Sequence, residues 1–243
     1  MIQNNLKIAF RSLRAHKFYS LLNILGLALG MSGCLTLILI IRDQLSYDRF
    51  HPNSERTYRV LEQQSGNEVT ETGKSATTPF PLAESLKQDF SIVEKSTRLV
   101  RGIDGNDTKT AGGLTLPLTG YFTEPSFFEV FGFTLEQGDP ATALAEPHTM
   151  VITRKTAERF FGQENPIGKT LDVSGWGIFR ITGIAAKLPH KSHIGYECLA
   201  SAATLVAKDN SYKPEEAELR LTDNWQNRWV TLTYVRVLPD KTR

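Results

Sequence analysis

Phe18-Tyr-Ser-Leu-Leu-Asn-Ile-Leu-Gly-Leu-Ala-Leu-Gly-Met-Ser-Gly-Cys-Leu-Thr-Leu-Ile-Leu-Ile-Ile41 (FYSLLNILGLALGMSGCLTLILII) is 24 residues without a charge, held between Lys17 and Arg42. Wound as an α-helix it rises about 36 Å, enough to cross a hydrocarbon layer of roughly 30 Å. A buried helix of a soluble protein rarely runs so far without a charge. A cleaved signal peptide is the competing reading, because a basic segment precedes the run and Met31-Ser-Gly-Cys34 resembles a lipoprotein cleavage box. Signal peptides, however, have apolar cores of only about 7–15 residues. Here the apolar run continues through Leu35–Ile41, where a mature lipoprotein would be polar. Residues 18–41 are therefore read as a transmembrane helix in the lipid bilayer.

The flanking bases give it a direction. Lys7, Arg11, Arg14 and Lys17 precede the helix and Arg42 alone follows it closely. By the positive-inside rule, residues 1–17 form a cytoplasmic basic segment. Everything after Arg42, residues 42–243, then lies outside the inner membrane, in the periplasmic or extracytoplasmic space. Inside the helix, Gly26-Leu-Ala-Leu-Gly30 is a GxxxG and Gly33 extends the same small face. Small residues let helix backbones approach closely in lipid, so Gly26, Gly30 and Gly33 are the expected helix-packing face.

The net charge of +2 conceals this asymmetry. Residues 1–42 hold five bases and no acids, leaving 23 bases against 26 acids in the remainder. A nucleic-acid partner needs its positive excess on the folded part, so that class is excluded. Cys34 lies in the apolar run and Cys198 far downstream, a poor basis for a disulfide. The ectodomain is expected to fold on its core alone.

Within it, Arg56–Leu61 alternates as a strand, with Tyr58 and Val60 on one face. Thr78-Pro79 reads as an N-cap followed by a helix whose apolar stripe is Leu82, Leu86 and Phe90. A second helix is expected from Pro125, with Phe127, Phe128 and Phe131 inward and Gly132 as its stop. A third starts at the Thr153 cap, carries Ala157, Phe160 and Phe161, and stops at Gly162. Leu171–Val173, Ile178–Ile184 and Trp229–Leu238 read as strands, the last with Val230, Leu232 and Tyr234 on one face. Strands and short helices mix without a regular βαβ repeat, which predicts an α+β fold. The turn-rich Arg101–Gly113 is expected to separate two lobes.

Candidate chemistry is sparse. Phe160-Phe-Gly-Gln-Glu-Asn-Pro-Ile-Gly-Lys-Thr-Leu-Asp-Val173 closes on the Gly-Lys-Thr of a phosphate loop. The full pattern needs a glycine five places before Gly168, where Gln163 stands, and it should run into a helix instead of the β-like Leu171-Asp-Val. His190-Lys-Ser-His193 has two imidazoles but no companion at a metal-binding spacing, and reads as a solvated loop. Asp104-Gly-Asn-Asp107 breaks the calcium-loop pattern and reads as a turn. The cluster Phe127, Phe128, Phe131 and Phe133 reads as core. No catalytic residue, metal or cofactor is expected.

Two blocks together carry a resemblance. The first joins Ile8-Ala-Phe-Arg-Ser-Leu-Arg14, Asn23–Gly30, Leu45-Ser-Tyr-Asp-Arg-Phe-His-Pro-Asn53 and Thr57-Tyr-Arg-Val60. The second joins Pro125-Ser-Phe-Phe-Glu-Val-Phe-Gly-Phe133, Gly138–Leu144, Phe161-Gly162, Pro166–Leu171 and Ile181–Ile184. In order and spacing they resemble bacterial ABC transporter permeases of the MacB/FtsX type, across nearly the whole chain. The resemblance implies a cytoplasmic N-terminus, one span, and a two-lobed α+β periplasmic domain, with three further helices docking on a separate ATP-binding cassette subunit. It further implies a mechanotransmitter, in which cytoplasmic ATP hydrolysis drives export or periplasmic work, together with a homodimer and a periplasmic partner. The sequence stops at Asp240-Lys-Thr-Arg243 without another apolar run, so a fragment of such a permease is expected. The alternative on the bare sequence is a membrane-anchored periplasmic binding or sensor module working without an ATPase. A periplasmic hydrolase is the third reading, and no nucleophile–base pair can be assembled for it.

Overall fold

The computed structural model describes residues 11, 14–48, 50–63, 74–188, 192–212, 215, 220–228 and 230–239. The chain divides into two compact units, residues 1–47 and 48–243. Most of the predicted basic segment, His190 and Trp229 lie outside the described residues.

In the first unit, one helix, α1, runs Lys17–Ser46. Its apolar side chains are exposed throughout, and the most apolar 18-residue window within Lys17–Leu45 has a mean hydropathy of 2.5, so the helix is long and apolar enough to cross a membrane. One polar group inside it is satisfied locally. Thr36 donates its hydroxyl to the Ser32 carbonyl at 2.8 Å, the i−4 bond that spares a hydroxyl from facing hydrocarbon.

The second unit is a mixed α+β domain. After a short 3-10 turn at Ser54–Arg56 come β1 (Thr57–Arg59), β2 (Glu62–Gln63), β3 (Lys74–Ser75) and helix α2 (Leu82–Asp89). There follow β4 (Val93–Thr110), β5 (Thr115–Thr123), α3 (Ser126–Phe131), β6 (Leu135–Gln137), β7 (Thr149–Thr153) and α4 (Arg154–Phe161). Next are β8 (Thr170–Val173), β9 (Gly177–Ala185), β10 (Cys198–Ser201), α5 (Ala203–Asp209) and β11 (Thr231–Val237). One sheet takes nine of the strands in the order β1-β11-β4-β5-β10-β7-β9-β6, and β8 bridges β4 to β9. That bridge joins Thr108 to Val173 on one side and Thr170 to Arg180 on the other. It closes β4, β5, β10, β7, β9 and β8 into a ring.

The ring is filled by Ile103, Leu118, Phe122, Met150, Leu171, Phe179 and Ile181, with Phe160 of α4 and Leu205 of α5 joining them. Successive strand residues point to opposite faces. Accordingly Leu99, Val151 and Leu199, each next to a ring-filling residue, belong to a second core with Tyr234 and the phenylalanines of α3. The domain thus has two cores, one on each side of the sheet.

The helical punctuation follows the sequence. Thr153 caps α4, its hydroxyl accepting from Thr156 N–H at 3.2 Å, and Gly162 ends it. Gly132 ends α3 in the left-handed conformation at φ 70. Two local expectations are corrected. Thr78 is not a cap: its N–H bonds Thr231 O at 2.9 Å and its hydroxyl meets that of Thr233 at 2.8 Å. It is thereby recruited to the sheet edge, and α2 begins after Pro81. Phe90 then falls past the helix end in extended conformation and lies 54% exposed, leaving Ala83 as the buried contact. The segment Arg101–Gly113 is no separator of lobes either. It is largely the far half of β4, an 18-residue strand in which bulges at Gly102 and Gly105 absorb the turn-like composition.

Candidate functional site

The motif Leu45-Ser-Tyr-Asp-Arg-Phe-His-Pro-Asn53 straddles the end of α1. Two residues past that end, Asp48 sits at φ 58, a left-handed conformation that aspartate tolerates better than most residues. The chain then turns tightly: His51 N–H bonds Asp48 O at 3.3 Å and Ser54 N–H bonds His51 O at 3.1 Å. Pro52 packs on Gly132, where an added Cβ would come within 2.5 Å of Pro52 Cδ. Phe50 stacks on Phe133 at 6.5 Å between ring centres, and the His51 ring lies 4.9 Å from the same phenylalanine.

On this scaffold Asp48 gathers donors from across the domain. Its carboxylate accepts from Ser192 Oγ at 2.6 Å, from His193 N–H at 3.3 Å, and from His193 Nδ1. His51 Nε2 lies 3.3 Å from Asp48 Oδ1, while Nδ1 of the same ring meets the Phe131 carbonyl at 2.7 Å. Beyond it, His193 Nε2 meets the Tyr234 hydroxyl at 3.2 Å. Burial works against ionisation of Asp48, but the hydrogen bonds from Ser192, His193 and His51 outweigh it and hold the carboxyl below its ordinary range. Burial pushes the Tyr234 hydroxyl up, with Arg59 partly offsetting it. Asp48, His51, Thr57, Arg59, His193 and Tyr234 line a cavity of about 480 Å³ beside the cluster.

Chemically this is a clamp. Ser192 directs its hydroxyl to the carboxylate and not to an imidazole nitrogen, so Asp48, His193 and Ser192 do not form the base–nucleophile relay of a hydrolase. The clamp joins the turn after α1, the loop at Ser192–His193, strand β11 and the end of α3.

The other sequence candidates lie elsewhere. Gly168 is in left-handed conformation, its N–H bonded to Ile181 O at 2.8 Å, and Lys169 pairs with Glu164 beneath the Phe161 ring. The Gly-Lys-Thr is thus a turn leading into β8. Asp104 N–H bonds Asn106 Oδ1, and Asn106 in turn donates to Ser174 O, both at 2.9 Å, which ties the hairpin of β4 to the β8–β9 turn. Of the histidine pair, His193 joins the clamp and His190 is outside the described residues. Among the described residues no group of three metal-binding side chains is gathered. Phe127, Phe128, Phe131 and Phe133 are all core. Cys198 is fully enclosed, and burial pushes its thiol up. Gly26, Gly30 and Gly33 lie in α1 with nothing within 4 Å of where a Cβ would stand.

Asp48 and His51 stand in a motif that assigns them no role by itself, and Ser192 lies in the His190–His193 segment that reads as a solvated loop. The available signal was an aspartate and a histidine three apart immediately after an apolar run. The partners of Asp48 are about 145 residues downstream and that of His51, Phe131, is 80 away, beyond any local pattern.

No curated protein matches the chain. Among solved structures, a domain assigned to a permease protein from Porphyromonas gingivalis is similar with a TM-score of 0.61 and 21% identity, over 78% of each chain. The periplasmic region of MacB from Actinobacillus actinomycetemcomitans gives a TM-score of 0.51 at 17% identity over 76% of each chain. The extracellular domain of the noncanonic ABC-type transporter YknZ from Gram-positive bacteria gives 0.50 at 13% identity, over 76% of this chain and 84% of the other. At these identities the likeness is one of fold. A family model for the MacB-like periplasmic core domain, however, matches residues 20–242, and with that coverage the chain belongs to the MacB-like periplasmic core domain family.

Proposed function

We propose that the protein is a component of a membrane transporter: an ABC-transporter permease or mechanotransmission subunit. In this role it couples ATP hydrolysis by a separate ATP-binding cassette subunit in the cytoplasm to export or to work in the periplasm. The observation that carries the reading is the clamp at Asp48. One residue, Tyr47, separates the last residue of α1 from a carboxylate tied to the Ser192–His193 loop. The domain is thus fastened to its own far loop at its first residue, one position in sequence after Tyr47.

Residues 1–17 are assigned to the cytoplasm, 18–41 to the bilayer and 42–243 to the periplasm, on the strength of the basic residues before α1. Gly26, Gly30 and Gly33 recur at positions 0, 4 and 7, within about 60° of one another on the helix, and are assigned as the groove for partner helices. A homodimer and a periplasmic partner complete the assembly.

The test is copurification of the full gene product with its ATP-binding subunit, followed by ATPase measurement with wild-type and Asp48→Ala protein. Retained binding with impaired stimulation by the variant supports the reading. Absence of any ATPase partner would overturn it and leave the anchored binding or sensor module.

A further inference from the structure

We infer that the cavity beside the clamp is a binding site for a small organic anion, an apolar body carrying one carboxylate or phosphate group that seats on Arg59. At about 480 Å³ the cavity falls in the range of pockets that hold small ligands, roughly 300–1,000 Å³. Much of its wall is aromatic. Phe131 and Tyr234 are buried residues whose rings meet edge-on with 5.0 Å between centres. The buried His51 ring lies 5.7 Å from that of Phe131.

Most of the polar groups around this wall are already engaged. Both His51 nitrogens have partners, Phe131 O and Asp48 Oδ1. Both His193 nitrogens do too, Asp48 Oδ2 and the Tyr234 hydroxyl. The Thr57 hydroxyl donates to Asn53 O at 2.9 Å. The Asp48 carboxylate is occupied by Ser192, His193 and His51. A ligand in the cavity therefore meets ring faces and polar atoms with partners of their own, and one charged group with donors to spare.

That group is Arg59 of β1, which lines the cavity against the Tyr234 hydroxyl. Among the described residues no carboxylate pairs with it, whereas Arg56 and Arg236 nearby both hold Glu94. A guanidinium presents a planar fork of N–H donors that grips a carboxylate or phosphate with two bonds at once. The Tyr234 hydroxyl uses one of those donors and leaves the fork open. Asp48 lines the same cavity and repels a second anion, so the charged end of the ligand is assigned to Arg59 and its apolar body to the Phe131 and Tyr234 rings. A free aryl or acyl carboxylate offers this chemistry, and so does an anionic lipid headgroup.

The test uses the full chain in phosphatidylcholine nanodiscs, as wild type, Arg59→Gln and Arg56→Gln. The probe is 4-phenylbutyrate, with its uncharged amide as the isostere, titrated by calorimetry against empty nanodiscs. The wild type is expected to bind the acid at least about tenfold more tightly than the amide, because hydrogen bonds to a charged group are the strong ones. Arg59→Gln should lose that preference and Arg56→Gln keep it. Failure of the wild type to bind the acid, equal binding of acid and amide, or a preference that survives Arg59→Gln would overturn the site. Arg59 is exposed, so its variant should fold; if it does not, the acid–amide comparison on the wild type decides. Phosphatidylglycerol added to the nanodiscs separates the two sources. Competition with the probe assigns a lipid headgroup and unchanged binding assigns a free organic anion, and either upholds the site. No ATP-binding subunit enters the experiment, so its outcome is independent of the transport reading.

Discussion

Leu27 and Leu118 are the same side chain in two opposite settings. The first stands 66% exposed on α1, and the second is fully enclosed within the ring of strands. In α1 nearly every large apolar residue is bare, whereas the domain surrounds its own with two cores. The contrast shows which part of the chain builds an apolar interior of its own. The domain buries most of its large apolar side chains internally, with exceptions such as Phe90 and Ile178, and α1 requires lipid or other helices to do so.

Four substitutions probe that contrast, in order of falling effect on stability. Phe122, fully buried in the ring and packed on Trp176 and Phe179, is the strongest probe of the domain's self-sufficiency. Phe122→Ala is expected to cost about 3–5 kcal/mol in denaturant unfolding of the full chain. A cost under about 1 kcal/mol would show a ring that collapses around the gap. Gly120→Ala comes next, because its Cβ would collide with the carbonyl oxygen and Sγ of Cys198 on the neighbouring strand. Overpacking of this kind costs roughly 1–3 kcal/mol, and a neutral result would mean β5 and β10 can move apart freely.

Third is Asp48→Asn, expected to cost about 1 kcal/mol because the carboxylate is partly exposed and only some of its hydrogen bonds survive in the amide. The sign with pH follows from the depressed folded-state value. The stabilisation by Asp48 is present above the unfolded carboxyl range, near 4, and is lost as the pH falls through the folded value. Wild-type and variant melting temperatures should therefore converge in acid; a gap that widened there would reverse the assignment. Last, Gly30→Leu should leave domain unfolding unchanged and weaken helix association in a membrane reporter assay. Unchanged association would remove Gly26, Gly30 and Gly33 as a packing face.

Much of the fold was legible because its signals are local. Thr153, Gly162 and the stripe between them define α4 within ten residues, and Phe127, Phe128 and Phe131 with Gly132 define α3 within six. Other features depended on distant partners. Thr78 has a capping residue's chemistry, but Thr231 and Thr233 claimed its N–H and hydroxyl. Gly102, Gly105 and the residues around them have a loop's composition, and pairing with β5 kept them in a strand. The closing of the ring by β8 requires Leu171–Val173 to meet Thr108–Thr110, some 60 residues earlier, and no spacing announces it. Half of the clamp was visible in the same sense, since Asp48 and His51 are neighbours in sequence and Ser192, His193 and Tyr234 are not.

The first and last strands of the domain, β1 and β11, lie side by side and antiparallel, with Thr57 opposite Arg236. The start of β1 and the end of β11 therefore lie together at one end of the pair. Arg56 ties that end across, reaching both the Val237 carbonyl and Glu94, and Arg236 holds the same Glu94. The opening and closing strands of the described domain are thereby fastened to each other twice, by their backbone ladder and by the carboxylate that both arginines share.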